Sequence, residues 1–193
     1  MHLLAGSSYV QPAYVHELNG SKLMRAISLK TIATGFSFWH CSDSPPHHLQ
    51  ATKMASILGR FRHLEILNLG FLFDCSDEVL VLVGSLCRNL RDLQISDTYR
   101  HLDGGAGLVA LVQGCPRLHS LALHGYRGPP SSLMAIGTTC SQLKRLRLRS
   151  APSMGDATIV HLAKNCRKIE ELDVSFNDIT GEGSVAGLPV SGM

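Results

Sequence analysis

Charged side chains are scarce in this sequence. They make up 17% of 193 residues, against 45% apolar, and the formal net charge is only +3. So small a surplus of one sign does not recruit nucleic acid by charge alone. There are six cysteines but no C-x-x-C pair, so a structural zinc site lacks its ligand spacing. Apolar runs such as Val79–Val83 are far too short to cross a bilayer. The start, Met1-His-Leu-Leu-Ala-Gly-Ser-Ser, has no basic stretch ahead of its apolar residues, so it does not read as a signal peptide. The segment Asp103-Gly-Gly-Ala-Gly107 is a glycine-rich turn without the Lys-Ser/Thr end of a phosphate loop. No Ser-His-Asp arrangement or pair of carboxylates at useful spacing is legible. His40, Cys41, His47 and His48 fall within nine residues, but their spacing matches no zinc site; a polar, histidine-rich loop is the better reading. The expectation is a soluble protein of the cytoplasm or nucleus that is not an enzyme, with no cofactor, no metal and no membrane partner.

What is present is a repeat. The stretch Cys140-Ser-Gln-Leu143-Lys-Arg-Leu146-Arg-Leu148 reads C-x-x-L-x-x-L-x-L. The same phrase returns at Cys87-Leu90-Leu93-Ile95, Cys115-Leu118-Leu121-Leu123 and Cys166-Ile169-Leu172-Val174. A further copy, Phe61-Leu64-Leu67-Leu69, has Phe at its head, and Ser21-Met24-Ile27-Leu29 is a weaker sixth. From Phe61 onward the heads lie 26, 28, 25 and 26 residues apart. A fixed period in the twenties marks a leucine-rich-repeat solenoid. Within a repeat, Leu146 and Leu148 alternate with Arg145, Arg147 and Arg149, the period of a strand with leucines inward and arginines outward. The following residues turn and return as an apolar helix. One such unit cannot bury its own apolar face, so neighbours must stack on both sides. The expected fold is α/β: a right-handed βα horseshoe with parallel strands on the concave face and helices on the convex face. Cys87, Cys115, Cys140 and Cys166 hold one repeat position and are expected to form an inward ladder of small apolar side chains, with Cys75 also inward.

Taken in order, Ala13–Leu18 reads as the helix of an incomplete leading repeat and Ala26–Lys30 as its following strand. The gap from Met24 to Leu64 is long, and the excess falls in 35–48, where Ser, Asp and paired prolines indicate a loop. Leu49–Leu58 then returns as a helix. Helices are expected over Val79–Leu86 after Ser76-Asp77-Glu78, a capping residue followed by acids. Others are expected around Leu108–Val112, around Leu133–Ile136 after Pro129-Pro130, and over Ala157–Ala163. One solenoid of about six repeats is expected over 1–183. In 184–193, Gly187, Pro189 and Gly192 oppose a helix, and a disordered tail is expected.

The run Cys166–Gly183, CRKIEELDVSFNDITGEG, resembles the cysteine-containing leucine-rich repeats of F-box/LRR proteins and of the related F-box-free mitotic-exit antagonist family. The resemblance extends over roughly 61–183. It implies a protein–protein interaction module, the substrate-recognition region of an SCF-type ubiquitin ligase subunit, in which a separate F-box binds the Skp adaptor. Residues 1–60 lack the Leu-Pro opening and Val-Cys-x-x-Trp ending of an F-box. The Skp contact therefore requires an F-box outside this chain, and the repeat array reads as a fragment of a longer protein. The alternative is an F-box-free scaffold or adaptor in signalling or cytoskeletal assembly.

The outward strand positions define a candidate partner surface: Asn68, Asp92, Gln94, His124, Arg145, Arg147, Arg149, Glu171 and Asp173. With neighbouring strands about 4.8 Å apart, Arg145 is expected beside Glu171 and Arg147 beside Asp173, an exposed ion-pair ladder worth roughly 0–1 kcal/mol per pair. Arg149 faces Ser175 and is expected to be the residue open to an acidic or phosphorylated segment. Trp39, the only Trp, lies in the 35–48 loop near the expected concave rim. It reads equally as a binding anchor and as a cover for the first repeat's core.

Overall fold

The computed structural model describes residues 9–10, 31–34, 55–56, 58–59, 61, 63–69, 75–95, 104–180 and 190–191. Among these residues eight strands form one parallel sheet in sequence order: β1 (Tyr9–Val10), β2 (Thr31–Thr34), β3 (Ile66–Leu69), β4 (Asp92–Ile95), β5 (Ser120–His124), β6 (Arg145–Arg149), β7 (Glu171–Asp173) and β8 (Val190–Ser191). Four helices alternate with β3–β7: α1 (Asp77–Leu86), α2 (Ala106–Gly114), α3 (Pro130–Thr139) and α4 (Asp156–Asn165). Strand, turn, helix and return therefore repeat as the period predicts, and the architecture is the α/β leucine-rich-repeat solenoid.

The head of each repeat has a fixed structural job. Cys87, Cys115, Cys140 and Cys166 each follow a helix as its C-cap, donating the backbone N–H to the carbonyl four residues back. Each head carbonyl then accepts the N–H of the residue three on: Leu90, Leu118, Leu143 and Ile169, at 3.0 to 3.2 Å. Phe61 does the same for Leu64 at 3.1 Å. The head side chain points into the core: all four thiols are fully buried, and the Phe61 ring is buried as well. Just before each strand, one carbonyl accepts two N–H groups of the next repeat. Glu65 accepts from Arg91 and Asp92, Arg91 from His119 and Ser120, His119 from Lys144 and Arg145, and Lys144 from Glu170 and Glu171. This rung ties each repeat to the next and holds the strands in register.

The register aligns the leucines. Leu67, Leu93, Leu121, Leu146 and Leu172 form one inward row and are fully buried, as are Ile95, Leu123 and Leu148 in the row beside it. Each such side chain contributes roughly 1.5–3 kcal/mol by leaving water. The helices close the other side of this core. Between α1 and α2 the packing is tight. A Cβ on Gly107 would lie 2.6 Å from the Asp77 backbone, and one on Gly84 would lie 2.7 Å from the Ala110 carbonyl oxygen.

Thr31–Thr34 is a strand in register with β3, Ile32 beside Leu67 and Thr34 beside Leu69; the strand expected at Ala26–Lys30 lies outside the described residues. Ser76 stands at the N-cap of α1, but its hydroxyl makes no cap hydrogen bond. Within the segment expected as a tail, Val190–Ser191 pair with Leu172 and Asp173 of β7. The edge of β7 supplies the backbone partners. The helix expected at Ala13–Leu18, the loop 35–48 and most of the Leu49–Leu58 helix lie outside the described residues, although Ala55, Ser56 and Leu58 are helical.

Candidate functional site

The face of the sheet turned away from the helices carries the sequence-identified residues on five adjacent strands. β3 presents Ile66 and Asn68, β4 presents Asp92 and Gln94, and β5 presents Ser120, Ala122 and His124. β6 presents three exposed arginines, and β7 presents Glu171 and Asp173. The register places Ile66, Asp92, Ser120, Arg145 and Glu171 in one outward row and Asn68, Gln94, Ala122, Arg147 and Asp173 in the next. Trp39, and the histidine cluster 40–48, lie outside the described residues.

The backbone neighbours are those expected, but the ion pairs are not. Arg147 bonds Glu171, with Nε at 2.9 Å and Nη2 at 2.7 Å from Oε1. Arg149 bonds Asp173, with Nε at 2.6 Å and Nη2 at 2.5 Å from Oδ2. Arg149 is therefore not the open cation: its acid stands diagonally across, one outward step back on β7. Arg145 does not pair with Glu171 and instead reaches Asp92 on β4, 3.4 Å away. A long side chain on a twisted sheet leans along the strand, so the diagonal neighbour is within its reach as well as the one directly opposite. Lys144 and Glu170, the equivalent residues ahead of β6 and β7, meet at 2.7 Å.

Asp173 is outward but only 5% exposed. Burial pushes its carboxyl up, yet hydrogen bonds from Arg149 and from the Ser175 hydroxyl (2.6 Å) and N–H (3.1 Å) outweigh it, and the carboxyl falls to about 2. His124, the register neighbour of Arg149, is held toward its neutral form by burial and by the Arg149 charge. Burial pushes the Cys75, Cys115 and Cys140 thiols up to about 12 and those of Cys87 and Cys166 to about 11. Such thiols are neither nucleophiles nor ready metal ligands at neutral pH. Among the described residues no three His, Cys, Asp or Glu groups are placed to hold a metal, and no helix is long and apolar enough to cross a membrane.

The rim at the C-terminal ends of the strands holds features that sequence reading missed. Gly125, Ser150 and Phe176 occupy the same repeat position and all have positive φ (79°, 52° and 64°). Phe176 is 82% exposed there. Next to it, Asn177 donates through Nδ2 to the carbonyls of Leu148 and Val174 (2.6 and 2.7 Å) and accepts the Ala151 N–H at 2.6 Å, bridging two repeats. Tyr126, fully buried, shares a 2.6 Å hydrogen bond with Ser132. An Asn just after a strand is the signal that marks such a staple; nothing local marks a buried Tyr.

Comparison with known proteins agrees with the fold. Residues 165–186 match the family model described as a leucine-rich repeat. The chain is similar to one in the crystal structure of the Rad7 and Elc1 complex in yeast, at 17% identity and a TM-score of 0.65, covering 89% of this chain and 44% of that one. It is also similar to the leucine-rich repeat-containing protein LegL7 from Legionella pneumophila, at 17% identity and a TM-score of 0.52, covering 86% and 55%. The chain thus spans about half the length of these solved structures, and at such identity the likeness is one of fold.

Proposed function

We propose that this protein is a non-catalytic protein-binding module whose partner lies across the outer, concave face of β3–β7. We further propose that it acts in the cytoplasm or nucleus as the substrate-recognition repeat region of an F-box/LRR-type subunit of an SCF ubiquitin ligase. The observation that carries the first statement is the face itself: one continuous sheet surface with outward side chains from five strands in register. Adjacent rows of polar, small and charged groups at strand spacing suit a protein surface, and the repeat architecture is one that binds along its concavity. The ligase role is supported by the likeness of Cys166–Gly183 to F-box/LRR repeats. The absence of an F-box motif from residues 1–60 keeps the F-box-free adaptor as the second reading.

The test is site-specific photo-crosslinking in cell lysate, with the probe at Gln94 on the outer face or at Val81 on the helix side. Protein adducts are expected at Gln94 and not at Val81; the reverse pattern overturns the binding face. Recovery of Skp and cullin subunits with the full-length protein supports the ligase role, and adducts without them select the adaptor.

A further inference from the structure

The three arginines of β6 are not equivalent. Arg149 is bound twice by Asp173, whose side chain is 7% accessible and whose second oxygen is taken by Ser175. Arg147 is bound twice by Glu171. Both lean toward β7. Arg145 leans the other way, across β5, to a single 3.4 Å contact with Asp92. Ser120 is the register neighbour of both residues, so the pair spans it. Two strand spacings, about 9.6 Å, are bridged because β5 places only Ser120 and Ala122 in the way. Arg145 and Asp92 remain 52% and 34% exposed.

The acids are distributed asymmetrically. Glu170, Glu171 and Asp173 cluster at β7, each paired with its own cation. Asp92 is the one acid projecting from β3–β5 among the described residues. Among the described residues, a carboxylate arriving over Ser120 therefore meets Arg145 with only Asp92 to displace. Exchanging one exposed pair for another costs little, because the released Asp92 returns to water. Displacing Asp173 from Arg149 would instead strand a buried carboxylate.

We propose that Arg145 is the anion-recognising residue of the concave face. It takes an Asp or Glu side chain of the protein partner over Ser120, in place of Asp92, which holds the position until the partner arrives. This rests on the protein-binding reading above and specifies the partner's chemistry.

The probe is a displayed library of random dodecapeptides selected on the intact chain, followed by affinity measurement of one selected peptide and its Glu→Gln or Asp→Asn counterpart. Selected peptides are expected to be enriched in Asp or Glu. Asp92→Asn is expected to tighten binding about fivefold, the scale of one exposed ion pair, and Arg145→Gln to weaken it about as much. Neutralising the peptide's acid is expected to weaken binding to the parent chain but not to Arg145→Gln. Thermal melts of both variants are expected to match the parent, which separates recognition from folding. No enrichment of acids, or an acid effect that persists undiminished in Arg145→Gln, overturns the proposal. Ala122→Trp separates it from the broader reading. If peptides still bind Ala122→Trp fully, the concave binding face itself fails. If that variant loses binding while Arg145→Gln does not, only the role of Arg145 falls.

Discussion

β5 and β6 are adjacent strands with the same interior and opposite exteriors. Inward, Leu121 and Leu123 lie beside Leu146 and Leu148, and all four are fully buried. Outward, β5 presents Ser120, Ala122 and His124 where β6 presents three arginines. The inward positions are constrained because each leucine fills space between two neighbouring repeats. The outward positions are free to differ, and the difference has consequences. Small residues on β5 open the path by which Arg145 crosses to β4, while Arg147 and Arg149 find their acids on β7.

The sharpest way to break this contrast is to truncate one residue of each kind on the same strand. Leu146→Ala is expected to cost about 2–5 kcal/mol by leaving a cavity. Arg147→Ala is expected to cost under about 1 kcal/mol, because its ion pair is exposed. Chemical denaturation of both variants decides it; equal losses would mean that the outward row is as structural as the inward one.

Asp173 is the charged exception on the outward face, since it is nearly as buried as the core. Its folded carboxyl lies near 2, below the ordinary 3.8. The stabilisation is therefore present above about pH 4 and is lost as pH falls toward 2, with about 2 kcal/mol at stake. Asp173→Asn is expected to lower stability at pH 7 and to flatten the acid limb of the stability–pH curve. An unchanged limb would assign the acid sensitivity elsewhere.

The smallest expected effect concerns the rim. Gly125, Ser150 and Phe176 share a left-handed backbone position that suits glycine and costs a bulky side chain roughly 1 kcal/mol. Phe176→Gly is expected to raise stability by up to about 1 kcal/mol, because the ring is 82% exposed and contributes little packing. A lower melting temperature for the glycine variant would show that the ring packs in solution.

The elements most legible in the sequence were those set by nearest neighbours along the chain. C-x-x-L-x-x-L-x-L marked the strands β3–β7, and Pro129-Pro130 marked the start of α3, where Pro130 sits without needing its missing N–H. The sequence pattern did not mark β2, Thr31–Thr34, which is set by its register with β3. At the candidate site it identified the outward residues and their backbone neighbours. It mispaired all three arginines and missed Tyr126 and the part played by Asn177.

The sequence by itself determined the repeat period, the inward leucine rows, the cysteine ladder and the residues of the outer face. These follow from the two-residue alternation of a strand and from the need of each repeat to bury its apolar side against the next. Only the tertiary structure decided which acid each arginine holds, why Asp173 is buried and why Arg145 spans β5. Those outcomes depend on side-chain reach across a twisted sheet and on the size of residues one and two strands away, neither of which is encoded in any local stretch of the chain.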